Sequence, residues 1–406
     1  MRLSLRPNAR VATALAAAGL TLTATVATAP QAPASAPTLK TAAAWRTNPG
    51  VPGLTAVPDS AARAWLAQGR VPGGPWRSMV RDALLDLRRL TAASGGVAAG
   101  AAAYWGYTWP RDAAFATAAM LASGHRDDAL RTLSFLQRVQ RRDGGFQARY
   151  LLDGSGVPDD RSPQSDGAGW TLWALGQVAS TGGAAGELAA LQPLLDRATG
   201  FVLGQTGDGR RLPAASPDYW EVPERSLTLG IAAALLAGLR AAPRVYAVLG
   251  RPSDAARTAL AADRLERLVH REFGPGGYQR YAGGGGADAA VCLLLPPFAG
   301  SAPRSVHRAW REYQRTAARP AGGFAPGASW RRDGVSWTPE TALVAYTAAH
   351  TGDRGTAARL LNWLAAHRTS WGSLPEKVLA DGRPAGPAPL GWTAAAVVLT
   401  AAALEG

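Results

Sequence analysis

Four short segments concentrate the residues able to do chemistry. The first is Tyr104-Trp105-Gly106-Tyr107-Thr108-Trp109-Pro110-Arg111-Asp112, where aromatic rings meet an Arg-Asp pair as a helical pattern begins. The second runs from Arg142-Asp143-Gly144-Gly145-Phe146 through Arg149-Tyr150 to Pro163-Gln164-Ser165-Asp166-Gly167-Ala168-Gly169-Trp170. The third is Pro217-Asp218-Tyr219-Trp220-Glu221, and the fourth is Trp371-Gly372-Ser373-Leu374-Pro375-Glu376-Lys377. Planar aromatic groups present flat apolar faces to sugar rings, and Asp/Arg forks grip hydroxyls. Two glutamates in separate loops offer one proton donor and one proton acceptor. Taken singly, each segment also fits a plainer reading, an Asp capping a helix beside a surface Arg.

Other chemistries are excluded by what the chain lacks. Neither lysine, Lys40 or Lys377, follows a glycine, so there is no phosphate-binding P-loop. No Gly-x-Ser-x-Gly elbow and no His-Glu-x-x-His occurs. The five histidines are scattered without ligand spacing, so neither a metal nor a cofactor is expected. The Gly283–Gly286 run follows no strand pattern and reads as a flexible loop or helix start. Cys292, the single cysteine, lies in the apolar run Ala289–Leu295 and reads as a buried, inert thiol.

The elements that must position these segments are helices. Apolar spacings of three and four predict them near 60–69, 76–92, 111–123, 127–141, 167–180, 186–204, 224–241, 252–272, 285–295, 303–318, 339–350, 354–367 and 389–405. Asp127 and Asp128 suit a helix start, whereas Gly124, Gly144 and Gly145 suit stops. Period-two runs are scarce, which disfavours an α/β sheet. No repeat of constant length is present, which argues against a solenoid. Polar and aromatic residues gather in a few long loops, as suits a closed scaffold whose loops build a pocket. The expected fold class is therefore all-α.

The 406 residues, 47% hydrophobic and 18% charged, are ordinary for a globular protein. The net charge of +14 is almost entirely arginine, spread about one or two per predicted helix. A nucleic-acid binder gathers its cations into a patch or an arm, so no nucleic-acid partner is expected. Arg2, Arg6 and Arg10 precede the uncharged, small-residue segment Val11–Ala29. This is the pattern of an export signal, with Ala27-Thr28-Ala29 and Ala32-Pro33-Ala34 as possible cleavage sequences. The stretch is poor in Leu and Ile and makes a weak anchor, so release outside the cell is expected. No later segment reads as a membrane span. The division expected is a signal over 1–36, a Pro/Ala/Thr-rich linker over 37–58 and one catalytic domain over 59–406, acting as a monomer.

Taken together and in order, the segments resemble family 15 of the glycoside hydrolases, the glucoamylase-like family. The resemblance rests on Trp109-Pro110-Arg111-Asp112, Phe135-Leu136, Arg142-Asp143-Gly144 and Pro163-Gln164-Ser165-Asp166-Gly167. It continues with Asp218-Tyr219-Trp220-Glu221, Ala287-Asp288-Ala289 leading into Leu293-Leu294-Leu295-Pro296, Leu374-Pro375-Glu376 and Pro389-Leu390-Gly391-Trp392-Thr393. It spans about residues 76 to 406. The resemblance implies an (α/α)6 toroid of six helical hairpins, a pocket for the end of a sugar chain and hydrolysis with inversion. It implies Glu221 as general acid and Glu376 as general base. Arg111 and Asp112 would hold the terminal sugar, with Trp109, Trp170 and Trp220 lining the pocket. Tyr104, Gln164, Asp166, Arg332 and Trp337 complete the implied carbohydrate-binding set.

The chain departs from the family pattern near the acid. Val222 follows Glu221 where a second acidic residue is usual, with Glu224 nearby as a partial substitute, and the stretch from Glu221 to Thr228 is short. The arginine-bearing loop is matched only loosely by Ser329-Trp330-Arg331-Arg332-Asp333, followed by Trp337. An acid beside Trp220 and another carboxylate would be expected to hold its proton more tightly. Alternatives to an exo-acting α-glucan hydrolase are a trehalase or other α-glucoside hydrolase, and a non-catalytic sugar-binding relative of the same toroid. A uronate lyase or isomerase is disfavoured, because such enzymes generally use His, Tyr or Lys and these motifs lack histidine.

Overall fold

Two kinds of helix alternate along the chain, and their composition decides where each one sits. A helix that is apolar around its whole circumference must be buried, whereas one with a single apolar stripe can face water. In this computed structural model, which describes residues 51, 53–55 and 57–406, both kinds follow that rule. The signal segment and most of the linker expected from the sequence lie outside the described residues.

The first helices are α1 (Asp59–Ala67), α2 (Arg77–Leu90), α3 (Pro110–Ala122) and α4 (Arg126–Val139). Then come α5 (Asp166–Ala179), α6 (Ala185–Ala190), α7 (Gln192–Thr206), α8 (Leu229–Val248) and α9 (Pro252–Phe273). After a 3-10 helix at Ala289–Leu294, the chain forms α10 (Arg304–Thr316), α11 (Thr338–His350), α12 (Arg354–Ala366) and α13 (Gly391–Glu405). Residues Pro110–Met120 of α3, Leu229–Leu239 of α8 and Gly391–Ala401 of α13 are buried without a break. By contrast, α10 buries only Val306, Ala309, Trp310 and Tyr313, a stripe at helical spacing.

The buried elements contact one another in the closed cycle α3, α5, α8, the 3-10 helix, α11, α13 and back to α3. Each packs on an outer partner: α3 on α4, α5 on α7, α8 on α9, the 3-10 helix on α10, α11 on α12 and α13 on α2. This is the expected all-α, (α/α)6 toroid. One wall is thinner than expected. The helix predicted over 285–295 is instead the strand β2 (Gly284–Ala287) followed by the 3-10 turn. Gly284, Gly285 and Gly286 all take positive φ, which no helix accommodates, and β2 pairs with β1 (Gln279–Tyr281).

The predicted helix over 186–204 breaks at Leu191, where Pro193 restarts it as α7. The predicted start at 224 moves to Leu229, because the Thr228 hydroxyl caps the helix by accepting from Ile231 N–H. α8 also corrects the expectation that no later segment reaches membrane-spanning length. Its 20 residues are long and apolar enough, but they form a buried wall of the ring. A small sheet, β3 (Ser336–Trp337), β4 (Lys377–Val378) and β5 (Pro384–Ala385), lies beside the ring and pairs Trp337 with Lys377.

Small residues let the inner helices approach closely. A Cβ on Gly169 of α5 would stand 2.3 Å from the Ala234 carbonyl oxygen of α8, a contact with backbone that no rotamer relieves. Gly169→Ala is therefore predicted to lower stability by about 1–3 kcal/mol through overpacking, despite alanine's better helix propensity. Thermal unfolding measures this; an unchanged or raised midpoint would contradict such close packing of α5 on α8.

Candidate functional site

Pro110 opens α3 at a position where the missing N–H costs nothing, and this sets Arg111 and Asp112 in its first turn. Asp166 is the first residue of the neighbouring α5. Arg111 Nη1 donates to Asp166 Oδ2 at 2.8 Å, and its Nη2 donates to Glu221 Oε1 at 2.8 Å. Its guanidinium carbon lies 5.6 Å from the Trp392 ring at the start of α13. One buried cation thus joins three segments far apart in sequence. Its carboxylate partners raise its affinity for the proton against the opposing effect of burial, so it stays charged.

Glu221 is held from several sides. Gln164 Nε2 donates to Oε1 at 3.0 Å, and Arg161 Nη1 donates to Oε2 at 3.2 Å from a largely exposed position. The backbone of Glu221 has φ +55°, the left-handed region that non-glycine residues seldom occupy. Trp220 and Glu221 are only partly buried; guanidiniums and an amide donate to the carboxylate, while Asp112 and Asp166 lie close enough to feel its charge. Glu224 is not a substitute second acid. It accepts from Arg280 Nη2 at 2.5 Å and from the Tyr281 hydroxyl at 2.9 Å, which commits it to the scaffold.

Glu376 sits on the other side of the sequence motif set, in the loop before β4. Its N–H donates to the Pro387 carbonyl at 2.9 Å, and its own carbonyl accepts from Thr338 N–H at 3.0 Å. The side chain is 5% exposed, with Lys377 Nζ 3.0 Å from Oε2. Burial pushes its proton affinity up, and the Lys377 ammonium opposes that rise. Tyr104 is close enough to feel this charge: burial first, then Glu376, push its hydroxyl up to about 12. Asp112 is buried 3.9 Å from Arg111 Nε, and no side chain caps α3. Burial, aided by Glu221 and opposed by Arg111, pushes Asp112 up to about 6.

The other residues expected at the site divide into two groups. Gln164 and Asp166 join the Arg111–Glu221 network. Trp220 stands edge-on to Trp330 at 4.7 Å, and Trp330 stands edge-on to Trp337 at 5.5 Å, so these rings form one aromatic wall. Lys377 lies over Trp337 at 4.4 Å and links that wall to Glu376. Tyr104 is half-exposed. Trp170 does not line a pocket. It is buried within the ring against Phe115, Trp173 and Phe298, with centroids 5.3–5.9 Å away. One helical turn from the start of α5 its ring points into the packed core. Trp109 is also buried, covered by Trp105 and by the Arg149 guanidinium 5.0 Å from its centroid. Arg332 is exposed and joins none of these contacts.

Sequence reasoning missed Arg161 and Arg280, each of which binds residues of the loop around Glu221. Neither belongs to a motif, and nothing in the sequence sets them apart from the many other arginines of the chain. Among the described residues, no group of His, Cys, Asp and Glu is arranged to hold a metal ion. Cys292 is buried, and burial pushes its thiol up to about 12, in accord with an inert role.

Solved structures of similar architecture include glycosidases and glucoamylases. A glycosidase variant in complex with glucose superposes with a TM-score of 0.69 at 21% identity, over 86% of this chain and 99% of that one. A bacterial glucoamylase complexed with acarbose gives 0.70 at 17% identity, over 84% of this chain and 57% of that one. The glucoamylase of Saccharomycopsis fibuligera gives 0.63 at 13% identity, over 86% and 95%. At these identities the likeness establishes the fold. No family model matches the chain, and no curated protein matches it.

Glu340, in the first turn of α11, is buried with Oε2 unpartnered. Burial, with Glu376 and Asp288 adding and Arg111 opposing, pushes it from the usual 4.5 up to about 8. Between those values the folded protein keeps a proton that the unfolded chain releases, so stability falls as pH rises through this window. Glu340→Gln keeps the shape without the titration. Its unfolding midpoint relative to wild type is predicted to be higher at pH 8 than at pH 5. An equal difference at both pH values would mean that Glu340 does not carry this proton.

Proposed function

We propose that this chain is a glycoside hydrolase cleaving a terminal α-glucosidic bond with inversion, with glucoamylase-like exo-hydrolysis of α-glucans or α-gluco-oligosaccharides as its activity. The observation that carries the reading is the Arg111 centre. It fixes Glu221 beside Asp166, and a second glutamate, Glu376, is buried with an ammonium beside it.

A glycosidic oxygen leaves well only when protonated, and water attacks well only when deprotonated. In this reading Glu221 supplies the first proton and Glu376 removes the second. Oε1 of Glu221 is held by Arg111 and Gln164, so the proton is delivered from Oε2, the oxygen that faces the exposed Arg161. The leaving group takes the place of the Arg161 contact. Glu376 must be a carboxylate to take a proton from water. Lys377 favours that form in a buried setting that would otherwise favour the neutral one. Inversion places the two carboxyl groups roughly 6.5–9.5 Å apart, with water between base and sugar. Asp112, charged once the pH exceeds its raised value of about 6, accepts hydrogen bonds from hydroxyls of the terminal sugar.

Maltose, isomaltose and trehalose form the substrate panel for testing this. Glu376→Gln is predicted to lower turnover by roughly 10²–10⁴-fold on every substrate the wild type cleaves, with folding intact. Glu221→Gln should be comparably severe on a disaccharide and much milder on α-glucosyl fluoride, whose leaving group needs little protonation. On α-glucosyl fluoride, whose only sugar product is the attacked glucose, proton NMR should show β-glucose first. The α-anomer first, or two Gln variants that turn over like wild type, would overturn the assignment.

Asp112→Asn preserves size and one acceptor oxygen but loses the charge. It is predicted to lower kcat/KM by about tenfold or more while leaving the unfolding midpoint near that of wild type. Full turnover with full stability would make Asp112 structural.

A further inference from the structure

We infer that Arg280 is a positioning residue for the acid, a single buried guanidinium that clamps both ends of the loop carrying Glu221. The inference rests on the reading of Glu221 as general acid.

The loop from Asp218 to Glu224 presents Glu221 at its middle, in a left-handed backbone conformation. Such a conformation persists only where the surroundings over-determine it. Arg280, on β1, supplies that constraint. Nη2 donates to Asp218 Oδ1 at 3.0 Å and to Glu224 Oε1 at 2.5 Å, three residues on either side of Glu221. Nη1 donates to Asp288 Oδ2 at 3.2 Å, tying the clamp to the cap of the 3-10 helix. The flat face of the guanidinium lies 3.7 Å from the centroid of Trp220, the residue before the acid. The Arg280 side chain is 2% exposed, and those of Asp218 and Asp288 are 1% exposed, so this is not a surface ion pair.

Each partner is itself tied to the loop or its floor. Asp218 Oδ1 also accepts from Trp220 N–H at 3.0 Å, and the Asp218 carbonyl accepts from Glu221 N–H at 2.9 Å. The Tyr281 hydroxyl donates to Glu224, and the Tyr219 hydroxyl donates to Asp288. Gly327 leaves room for Trp220, since a Cβ there would lie 2.7 Å from the indole. Glu221 is thus gripped directly by Arg111 through its carboxylate and indirectly by Arg280 through its backbone. The second grip does not touch the acid. It sets the direction from which the carboxyl approaches the leaving oxygen, and displacements of about 1 Å at such a group cost roughly 10²-fold in rate. Only a planar guanidinium can bridge three carboxylates and stack on an indole at once; an ammonium cannot.

Arg280→Lys and Glu224→Gln test the clamp, with Glu221→Gln measured in parallel on the disaccharide that the wild type cleaves fastest and on α-glucosyl fluoride. Arg280→Lys is expected to lower kcat on the disaccharide by roughly 10–100-fold, with KM within about threefold of wild type. On the fluoride it should lose less than about threefold, reproducing in weaker form the leaving-group dependence of Glu221→Gln. Glu224→Gln releases one end of the loop while Asp218 and Asp288 still pair with Arg280. It should shift in the same direction by a smaller factor, and it decides the matter if Arg280→Lys does not fold. Equal losses on both substrates, or none, in a folded variant would overturn the clamp while Glu221 stands. If Glu221→Gln itself shows no leaving-group dependence, the assignment of the acid fails and the clamp falls with it.

Discussion

A charged guanidinium in a nearly dry environment demands carboxylates around it, and the site is organised by that demand at Arg111. Its side chain is 6% exposed, and its partners come from the start of α5 and from a loop more than a hundred residues downstream. Removing a cation from water costs several kcal/mol, which only well-aligned pairs offset. The arrangement therefore holds together as a unit: Asp166 and Glu221 are where they are because Arg111 must be satisfied. A pair of this kind contributes less to net stability than to geometry, since an apolar replacement of the whole cluster could pack equally well.

The same logic recurs behind the Glu221 loop at Arg280, and the two centres divide the work of holding one carboxylate. Arg111 fixes the oxygen atoms, and Arg280 fixes the chain that carries them. Between the two lies a residue in an unfavourable backbone region, a combination that marks strain held in place by its surroundings.

The toroid explains why so many acidic groups can gather without tearing the site apart. Arg111, Asp112, Asp166, Glu340 and Trp392 all lie in the first turns of inner helices, and Asp288 caps the 3-10 helix. Helix N-termini carry partial positive charge and free N–H groups, which favour carboxylates. Below this layer the inner helices are apolar all round and pack on one another through alanine and glycine. Above it, loops carry Glu221, Glu376 and the aromatic wall. The thin wall at the 3-10 helix follows from the glycine run before it, and β1 in the same hairpin delivers Arg280.

Most helix positions, and the segments bearing the two glutamates, were legible in the sequence; which helices line the inside of the ring was not. The legible features follow from local rules: apolar periodicity, proline at helix starts, glycine at stops and aromatic residues clustered beside charge. The pairing of Arg111 with Asp166 and Glu221 was not legible, because nothing local tells a buried guanidinium from the many solvated ones in an arginine-rich chain. Trp170 misled for the same reason: its motif neighbours face the site, but one turn along α5 its own ring faces the core. Arg161 and Arg280 lie outside every motif. Their roles, and the commitment of Glu224 to the scaffold, were decided when ring closure brought distant loops within hydrogen-bond distance. Sequence specifies which side chains are available; burial and proximity in the closed ring decide which charges must find one another.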